Sequence, residues 1–483
     1  MLKFQKKLTN TFYAILALPA TAMGFALSVQ ISALSWILTT KYGLEIHDVG
    51  LVWAAGPFAG IIGQILFGII SDKVWFWNGR RRPFIFIGGF LAAIMMLALP
   101  NLEIISNALG LEGILGIAIA VALSLDLAIN VGFNPTRSII ADVTPEGNER
   151  TKGYSWMQTI SGTFGVLAYV IGAVWNNYVL IYVGVILVFL LSVFPPLFVE
   201  EPKDFSSDEN DKPEKGNSSF LEILTYIQPL WGFLLYAVYA IVARLLEYHP
   251  DNYYVELLCL IVTISFILKA VLRPTEKLSK AEDGIVSFKK VLAAHSFTWI
   301  GIQTMFVYMF AYVQYEVYGL GADSSISEST QIEMGRIVSI SFLLLNAVGA
   351  ILPVTVLEPL SRKIGKVRTH AISILIMAIG YLGMVLFGFS SIVIYVLMII
   401  LGVGWAATIS LPFAIMSQKV DKAKMGLFMG LFNLSVVLPQ LVASFGVGQA
   451  VSSAEDKSLI FIISAVTLGV SAILWFMVKE EER

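Results

Sequence analysis

The chain has 483 residues, of which 57% are hydrophobic and only 14% are charged. An ordinary soluble domain has about 25% charged residues, so this composition excludes a water-soluble globular protein and indicates a chain that lies mostly in lipid. The net charge of −2 argues against a nucleic-acid partner. The single cysteine, Cys259, permits neither an internal disulfide nor a cysteine-based metal cluster. We expect no cofactor.

Apolar segments long enough to cross a bilayer follow one another along the chain. The first uncharged run, residues 8–40, is longer than the roughly 7–15-residue apolar core of a signal peptide, which predicts a retained first span. Six spans are predicted near residues 11–39, 49–71, 83–102, 113–138, 153–175 and 177–199. A polar linker and two shorter apolar runs at 221–243 and 255–272 follow. Six further spans are predicted near 291–315, 336–357, 369–388, 391–415, 426–449 and 458–478.

The order of six, two and six spans predicts an all-α polytopic membrane protein with two six-helix bundles and an extra central hairpin, 12 + 2 spans in all. The domains are expected at 1–200 for the N-terminal bundle, 201–290 for a cytoplasmic linker that carries the hairpin 221–272, and 291–483 for the C-terminal bundle. Whether the hairpin truly spans is open. Both blocks carry a short basic loop after their second span, and duplicated halves of this kind are the plan of the major facilitator superfamily, with substrate bound at mid-membrane between them.

The basic residues predict the orientation of the chain, because short cytoplasmic loops hold an excess of Lys and Arg. With a cytoplasmic N-terminus, 28 of the 32 basic residues lie inside. The four that remain outside are Lys41, Arg244, Arg336 and Lys457. We therefore expect both termini in the cytoplasm, and a monomer in the plasma (inner) membrane.

The loop after the second span carries a specific motif. It reads Gly68-Ile69-Ile70-Ser71-Asp72, followed by Gly79-Arg80-Arg81-Arg82-Pro83-Phe84-Ile85. This loop closely resembles the signature of the sucrose:proton symporter group, a set of glycoside-pentoside-hexuronide:cation symporter-like sugar carriers. The resemblance extends to both halves through Gly24-Phe25-Ala26-Leu27, Gln30, Trp53, Gly56-Pro57, Gln64, Asp126-Leu127-Ala128, Asn130, Arg137, Ala141-Asp142, Ser155-Trp156-Met157, Leu411-Pro412-Phe413-Ala414, Asn433 and Pro439-Gln440.

The resemblance implies the superfamily fold and a charge-paired cytoplasmic gate that opens when the halves rock. The gate residues are Asp72, Arg80, Arg81, Arg82, Arg137 and Asp142. The alternative is that the arginines only enforce the positive-inside orientation, although that would not require the two acids. The fifth span departs from the plant carriers, which have an arginine in its outer half where this chain has Tyr169-Val170-Ile171-Gly172.

Asp126 is a carboxylic acid near the middle of an otherwise uncharged span. An ionised carboxylate there costs about 2.5–3.5 kcal/mol on insertion scales, so such acids are candidates for function. Removal from water favours the protonated form, which predicts that Asp126 binds and releases the co-transported proton. Asn130 is four residues further on the same helix face, where it could bond the carboxyl or a substrate hydroxyl. The alternative for Asp126 is a purely structural bond to a neighbouring helix.

A neutral sugar needs amide and hydroxyl groups with an aromatic platform. Such residues recur near the expected middle of the spans. The predicted substrate-binding residues are Gln30, Asn130, Gln158, Gln303, Tyr308, Asn346, Trp405, Asn433 and Gln440. Each of them taken singly is better explained by hydrogen bonding between helices, but together they favour a polar cavity.

These features together predict a secondary transporter that takes up a disaccharide such as sucrose or maltose with a proton, by alternating access. The expected partners are a small neutral sugar, a proton and the lipid bilayer. One alternative is an exporter or a carrier of another small glycoside, and a second is a membrane sensor that binds sugar without moving it. An enzyme is not expected, because a cluster of nucleophile, base and metal ligands is missing from the sequence pattern.

Overall fold

The computed structural model of the chain describes residues 3–60, 70, 74–111, 113–145, 148–202, 220–246, 248, 252–273, 279–321, 324–420 and 425–480. Twelve helical stretches within these residues are long and apolar enough to cross a membrane. The prediction of an all-α polytopic membrane protein is therefore confirmed. The second predicted span, 49–71, lies partly outside the described residues.

The main helices fall into three groups in chain order, and the twelve stretches among the described residues divide between these groups as five, one and six. The first group consists of α1 (Asn10–Thr40), α2 (Ile46–Trp53), α3 (Arg82–Ala98), α4 (Leu115–Val143), α5 (Asn148–Val174) and α6 (Asn177–Val193). The central pair consists of α7 (Trp231–Leu245) and α8 (Tyr254–Val271). The last group consists of α9 (Lys280–Tyr312), α10 (Glu328–Leu352), α11 (Lys366–Phe387), α12 (Ser391–Ser410), α13 (Met425–Val442) and α14 (Leu459–Phe476). Short helical turns, such as Gly448–Ser453 after α13, extend several of them.

Polar residues mark where several helices begin. The Thr9 hydroxyl accepts the backbone N–H of Phe12 at the start of α1, and Asn176 caps α6 in the same way. Ser279 and Glu282 form a reciprocal capping box at the start of α9. Each cap satisfies a backbone N–H that has no partner within its helix, which matters more near a membrane, where water is scarce.

The central hairpin consists of one long and one shorter helix that pack against each other. With 18 residues, α8 is long enough to be a span. With 15 residues, α7 is about 22 Å long, which is shorter than the roughly 30 Å hydrocarbon core. A 3₁₀ turn, Gln228–Leu230, and a short helix, Phe220–Tyr226, precede α7.

The chain divides into two compact units. The first unit contains Met1–Ser207 and also Leu320–Leu343, which includes the first part of α10. Within it, Ser339 of α10 lies in a buried polar cluster, 2.8 Å from the Ser32 hydroxyl and 3.0 Å from the Asn177 side-chain oxygen that accepts its proton. A carbonyl of this segment, that of Gln331, accepts the Trp36 indole N–H. Hydrogen bonds and not only apolar contacts thus hold this segment in the first unit.

The second unit contains Asp208–Gly319 and Leu344–Arg483, and so includes the central hairpin. Its most buried helix is α9, which packs against α14, α13 and α8. In the first unit α1 has the same central place, against α5, α6 and α4. The first helix of each six-helix block therefore forms the core of its unit, and polar residues on these two helices are held far from lipid.

Glycine allows the close approach of α9 to α14. A Cβ atom added to Gly301 would lie 2.2 Å from the Leu468 side chain and 2.9 Å from the backbone oxygen of Ser464. The Ser464 hydroxyl donates to the Gly301 carbonyl at 3.0 Å. Helices in lipid lack a hydrophobic driving force for association, so such close contacts and hydrogen bonds hold them together.

We expect Gly301→Ala to destabilise the second unit by about 1–3 kcal/mol, because the added methyl group overpacks a contact that includes backbone. Gly469→Ala, on α14 with open space around its Cβ position, is the matched control. It should leave stability unchanged or raise it by up to about 1 kcal/mol, since alanine favours a helix over glycine. Unfolding of both variants in the same detergent measures the difference, and equal changes would contradict the packing argument.

Candidate functional site

Asp126 lies buried in the middle of α4, with 5% of its surface exposed. The Gln30 side-chain amide of α1 donates to its Oδ2 atom at 3.1 Å. Gly56 lies in the short helical segment that follows α2. Its missing side chain lets this segment approach Asp126, because a Cβ atom on Gly56 would lie 3.3 Å from the same Oδ2 atom. The carboxyl group therefore has a neutral hydrogen-bond donor beside it and lies away from water.

The amide of Asn130 takes a local bond. Its Nδ2 donates to the backbone oxygen of Asp126, one turn earlier, at 2.8 Å. Its bond therefore goes to the Asp126 backbone and not to the carboxyl group, and Asn130 is half-buried, beside the acid on α4.

Gln158 is exposed on α5 among other polar and small residues. Thr159, Gly162 and Thr163 are exposed on the same helix. A stripe of this composition within a span is unfavourable against lipid, so we interpret it as the lining of a water-filled path. The two threonines extend the predicted set, and their spacing around Gln158 is the sequence pattern that could have identified them.

In the second unit the structure joins an indole ring to an amide. The Trp405 Nε1–H of α12 donates to the Asn346 side-chain oxygen of α10 at 3.1 Å. Gly349 permits this contact, since a Cβ atom there would lie 2.8 Å from the indole ring. Phe306 of α9 meets the Trp405 ring edge to face, with centroids 5.3 Å apart. This arrangement has the amide and the aromatic platform that a sugar site needs.

A second amide pair lies on helices α9 and α13. The Gln440 side-chain nitrogen donates to the Gln303 side-chain oxygen at 3.1 Å. Gln303 lies between Trp299 and Phe306 at spacings of four and three residues, so the three side chains share one face of α9. Asn433 is half-buried on α13, two turns before Gln440. Five predicted residues of the second unit therefore lie on helix faces that carry amides and aromatic rings.

The hydroxyl group of Tyr308, which was predicted to bind substrate, bonds backbone groups of the protein instead. Its hydroxyl group is buried and bonds the backbone oxygens of Ala443 and Ser444, at 3.2 and 3.1 Å. These carbonyls belong to a π-helical turn, Ala443–Val447, whose wider winding leaves backbone groups to be satisfied. Two residues along α9 from Phe306, Tyr308 lies on the opposite side of that helix, and a substrate contact for it stays a prediction.

The predicted gate residues form an ion-pair cluster at the end of α4. Asp142 Oδ2 lies 2.9 Å from Arg80 Nη2 and 3.1 Å from Arg81 Nε. Arg82 points to a backbone oxygen, that of Asn78, at 3.4 Å. The cluster is largely buried, so water screens these charges less than it would on an open surface.

Two other predicted gate residues are not in this cluster as described. The exposed side chain of Arg137 packs its guanidinium group over the Phe133 ring, 4.3 Å from the ring centroid. Asp72 lies outside the described residues. The structure therefore joins Asp142 to two arginines, and the gating role of the set stays a prediction.

Glu201 is a structural partner of this loop that the sequence analysis missed. Its buried carboxylate accepts the backbone N–H groups of Arg80, Arg81 and Arg82 at 2.7 to 3.0 Å. These are the unsatisfied donors at the start of α3, where the helix dipole also favours a negative charge. The glutamate thus fixes the backbone that presents the two arginines to Asp142.

The second unit has the same kind of helix cap, in which a glutamate accepts the first backbone N–H groups of a helix. The Glu480 carboxylate accepts the backbone N–H groups of Lys366, Val367 and Arg368 at 3.0 to 3.2 Å, at the start of α11. Glu201 and Glu480 both follow the sixth span of their block closely, and this shared position is the sequence pattern that could have identified them. Each is held near a glycine, Gly79 or Gly365, that leaves room for the carboxylate.

Comparison with known proteins matches most of the chain. The sequence model of the family described as Major Facilitator Superfamily matches residues 16–444. A sucrose transport protein of Arabidopsis thaliana, SUC4, is 24% identical over 89% of this chain and 82% of its own length. The sucrose transport protein SUT2 of Oryza sativa subsp. japonica is 25% identical over 89% of this chain and 84% of its own.

A shorter sequence match and two solved structures are consistent with membership of this superfamily. The general alpha-glucoside permease of Schizosaccharomyces pombe is 32% identical, over 27% of this chain and 24% of its own. The POT family transporter PepTSo has a TM-score of 0.64 at 13% identity, over 97% of this chain and 98% of that one. The nucleoside transporter NupG has a TM-score of 0.57 at 13% identity, over 98% and 100%. These structures establish similarity of fold.

We expect Glu201→Gln and Glu480→Gln each to destabilise the protein by about 1–3 kcal/mol. Each carboxylate accepts three backbone N–H groups, whereas the glutamine amide has only one oxygen to accept them and carries N–H groups of its own. Glu358→Gln is the control, since the Glu358–Arg362 pair is exposed and such pairs contribute about 0.5 kcal/mol or less. Thermal unfolding in detergent measures all three. A control that loses as much stability as the cap variants would contradict the capping role.

Proposed function

Because the chain belongs to the Major Facilitator Superfamily, we propose that it is a secondary sugar transporter that takes up a disaccharide, such as sucrose or maltose, together with a proton. Support for a sugar comes from relatives named as sucrose transport proteins, which align with 89% of the chain. The relative named as an alpha-glucoside permease supports a glucoside as the substrate class. The proposal assigns the chain to transport and not to enzymatic catalysis.

The observation that carries proton coupling is the buried carboxyl group of Asp126, hydrogen-bonded to Gln30. A bond from an amide to an ionised carboxylate is stronger than one to a neutral acid. Protonation of Asp126 therefore weakens the contact between α4 and α1, and deprotonation restores it. In this way the charge of one residue changes how tightly two helices of the first unit are held.

The energy of one proton is sufficient for this task. A proton that moves down a membrane potential of about 100 mV releases about 2.3 kcal/mol. This free energy corresponds to a roughly 50-fold accumulation of a neutral solute. One coupling acid per sugar molecule is therefore enough, which agrees with a single buried acid at mid-span.

We assign sugar recognition to amides and aromatic rings in both units. In the second unit Trp405 offers a ring face, held by Asn346 and Phe306, and the Gln303–Gln440 pair offers hydrogen-bonding groups. In the first unit Gln158 and Asn130 have the exposure that a solute contact requires. Neutral polar groups fit an uncharged polyol, because they bond hydroxyl groups without the cost of burying a second charge.

The ion pairs at Asp142 suggest how one side of the transporter is controlled. We assign this end to the cytoplasm of a monomeric plasma-membrane protein, with both termini inside, from its Lys and Arg content. In the closed arrangement, the pairs of Asp142 with Arg80 and Arg81 hold the loop before α3 against the end of α4. Opening breaks these partly buried pairs, so the closed arrangement is favoured until sugar and proton binding offset that cost.

We expect Asp126→Asn to abolish sugar accumulation driven by an inward proton gradient while sugar exchange down its own gradient continues. The amide mimics the neutral acid, so the carrier still cycles with sugar but no longer moves a proton. Vesicle uptake of labelled maltose or sucrose, with and without a pH gradient, measures this, and Asp48→Asn is the control outside the spans. Gradient-driven accumulation that is equal in Asp126→Asn and in the unmodified protein would rule out the proton assignment.

We expect Trp405→Phe to weaken sugar binding about tenfold, because the ring loses both its indole N–H bond to Asn346 and part of its stacking area. Trp175→Phe is the control, since Trp175 is exposed at the end of α5. Sugar-dependent quenching of tryptophan fluorescence, or competition with a labelled sugar, gives the dissociation constants. An unchanged constant in Trp405→Phe would place the sugar elsewhere.

A further inference from the structure

The second unit contains a cavity between the central hairpin and the helices behind it. Its volume is about 560 Å³, within the range of small-molecule sites. The walls come from α7 and α8 on one side and from α9, α14, the π-helical turn and the Gly448–Ser453 turn on the other. Each wall belongs to the second unit, and the cavity contains none of the residues assigned above to sugar or proton binding.

The cavity lies at the boundary between protein and lipid. The outward face of α8 is apolar and exposed, with Leu258 at 58% and Ile261 at 52%. A helix with such a face in a membrane protein contacts acyl chains. The hairpin therefore forms a single layer of helices between the cavity and the bilayer.

The two ends of the cavity differ in chemistry. Near Gly232 and Thr263 the hairpin helices are in close contact, and the neighbouring lining is apolar, with Phe297 and Ile300. Glu256 lies two turns before Thr263 on α8, about 10 Å closer to the start of the helix. Polar groups thus lie toward the loop end, and an apolar space extends from there to the middle of the span.

Glu256 supplies an unsatisfied negative group at the polar end. The Tyr239 hydroxyl of α7 lies near its carboxylate. Its Oε2 atom is buried and has no hydrogen-bond partner among the described residues. A buried acceptor without a partner is unfavourable, so a ligand that donates a hydrogen bond to it is favoured.

We propose that this cavity binds a membrane phospholipid with a primary ammonium headgroup. The ammonium group donates to Glu256 Oε2, because it carries three N–H donors and the charge opposite to the carboxylate. The phosphate oxygens accept from the side chains of Gln449 and Tyr253, which line the same end. One acyl chain follows the apolar lining toward Phe297 and Ile300, and the rest of the lipid stays in the bilayer.

Other lipid classes fit the observations less well. A quaternary ammonium headgroup has no N–H to donate, and an anionic headgroup would bring its charge beside Glu256. A sterol offers one hydroxyl group and no positive charge. The selectivity of the site therefore rests on the number of N–H donors and on charge, and it can be tested lipid by lipid.

The test is lipid binding to the full-length protein in detergent, measured by native mass spectrometry with equal concentrations of phosphatidylethanolamine, phosphatidylcholine and phosphatidylglycerol of the same acyl chains. We expect at least a fivefold preference for phosphatidylethanolamine, together with a higher unfolding temperature in that lipid. Glu256→Gln should remove the preference. Glu328→Gln, an exposed acid at the start of α10, should keep it.

A second variant separates the contribution of the cavity volume to lipid binding from the contribution of the Glu256 carboxylate. Ala450→Phe fills the space beside the polar end and should reduce binding of all three lipids by a similar factor. Equal binding of the three lipids by the unmodified protein would overturn the proposal. A preference that survives in Glu256→Gln, or binding of a sterol but of no phospholipid, would overturn it as well. Each result is independent of sugar transport, because none of these measurements contains sugar.

Discussion

The low dielectric of the bilayer is the constraint on which the rest of this structure depends. A polar group in a span is unfavourable unless it finds a partner in the protein, because lipid offers none. Asp126 has Gln30, and the indole of Trp405 has Asn346. Lys457, between two spans, donates to the backbone oxygens of Val451, Ser452 and Ala454. Since satisfied groups are the rule, a polar group left open to a solute or unpaired is informative about function.

Both units share two features, a buried first helix and a glutamate that caps the third helix. The first helix of each six-helix block is central and buried, and an acid after the sixth helix caps the third. Charge-assisted bonds from three backbone N–H groups hold each of these loops more firmly than side-chain ion pairs alone would. In the first unit Glu201 fixes the loop backbone through hydrogen bonds that are separate from the pairs of Asp142 with Arg80 and Arg81.

The central hairpin is an addition to the duplicated plan, and it joins one unit only. Its two helices pack tightly where Gly232 meets Thr263, and the cavity lies between the hairpin and the helices behind it. A lipid bound there would fill a gap between two protein layers and add contacts that side chains do not supply. The proposed proton site and the proposed lipid site then use the same physical principle, a carboxyl group in an apolar setting, with different partners.

The sequence by itself determined the all-helical plan and the order of the apolar helices, because lipid requires about 20 apolar residues for each span. It also identified Asp126 as exceptional, since charge is scarce in this chain, whereas the set with Arg80 and Asp142 was implied by the family resemblance. Only the tertiary structure decided the partners: Gln30 is 96 residues from Asp126, and Glu201 is about 120 residues from the loop it caps. Hydropathy does not specify the rotation and depth of a helix, and these decide which side chains meet. For the same reason Tyr308 faces a backbone turn, which no count of polar residues could have predicted.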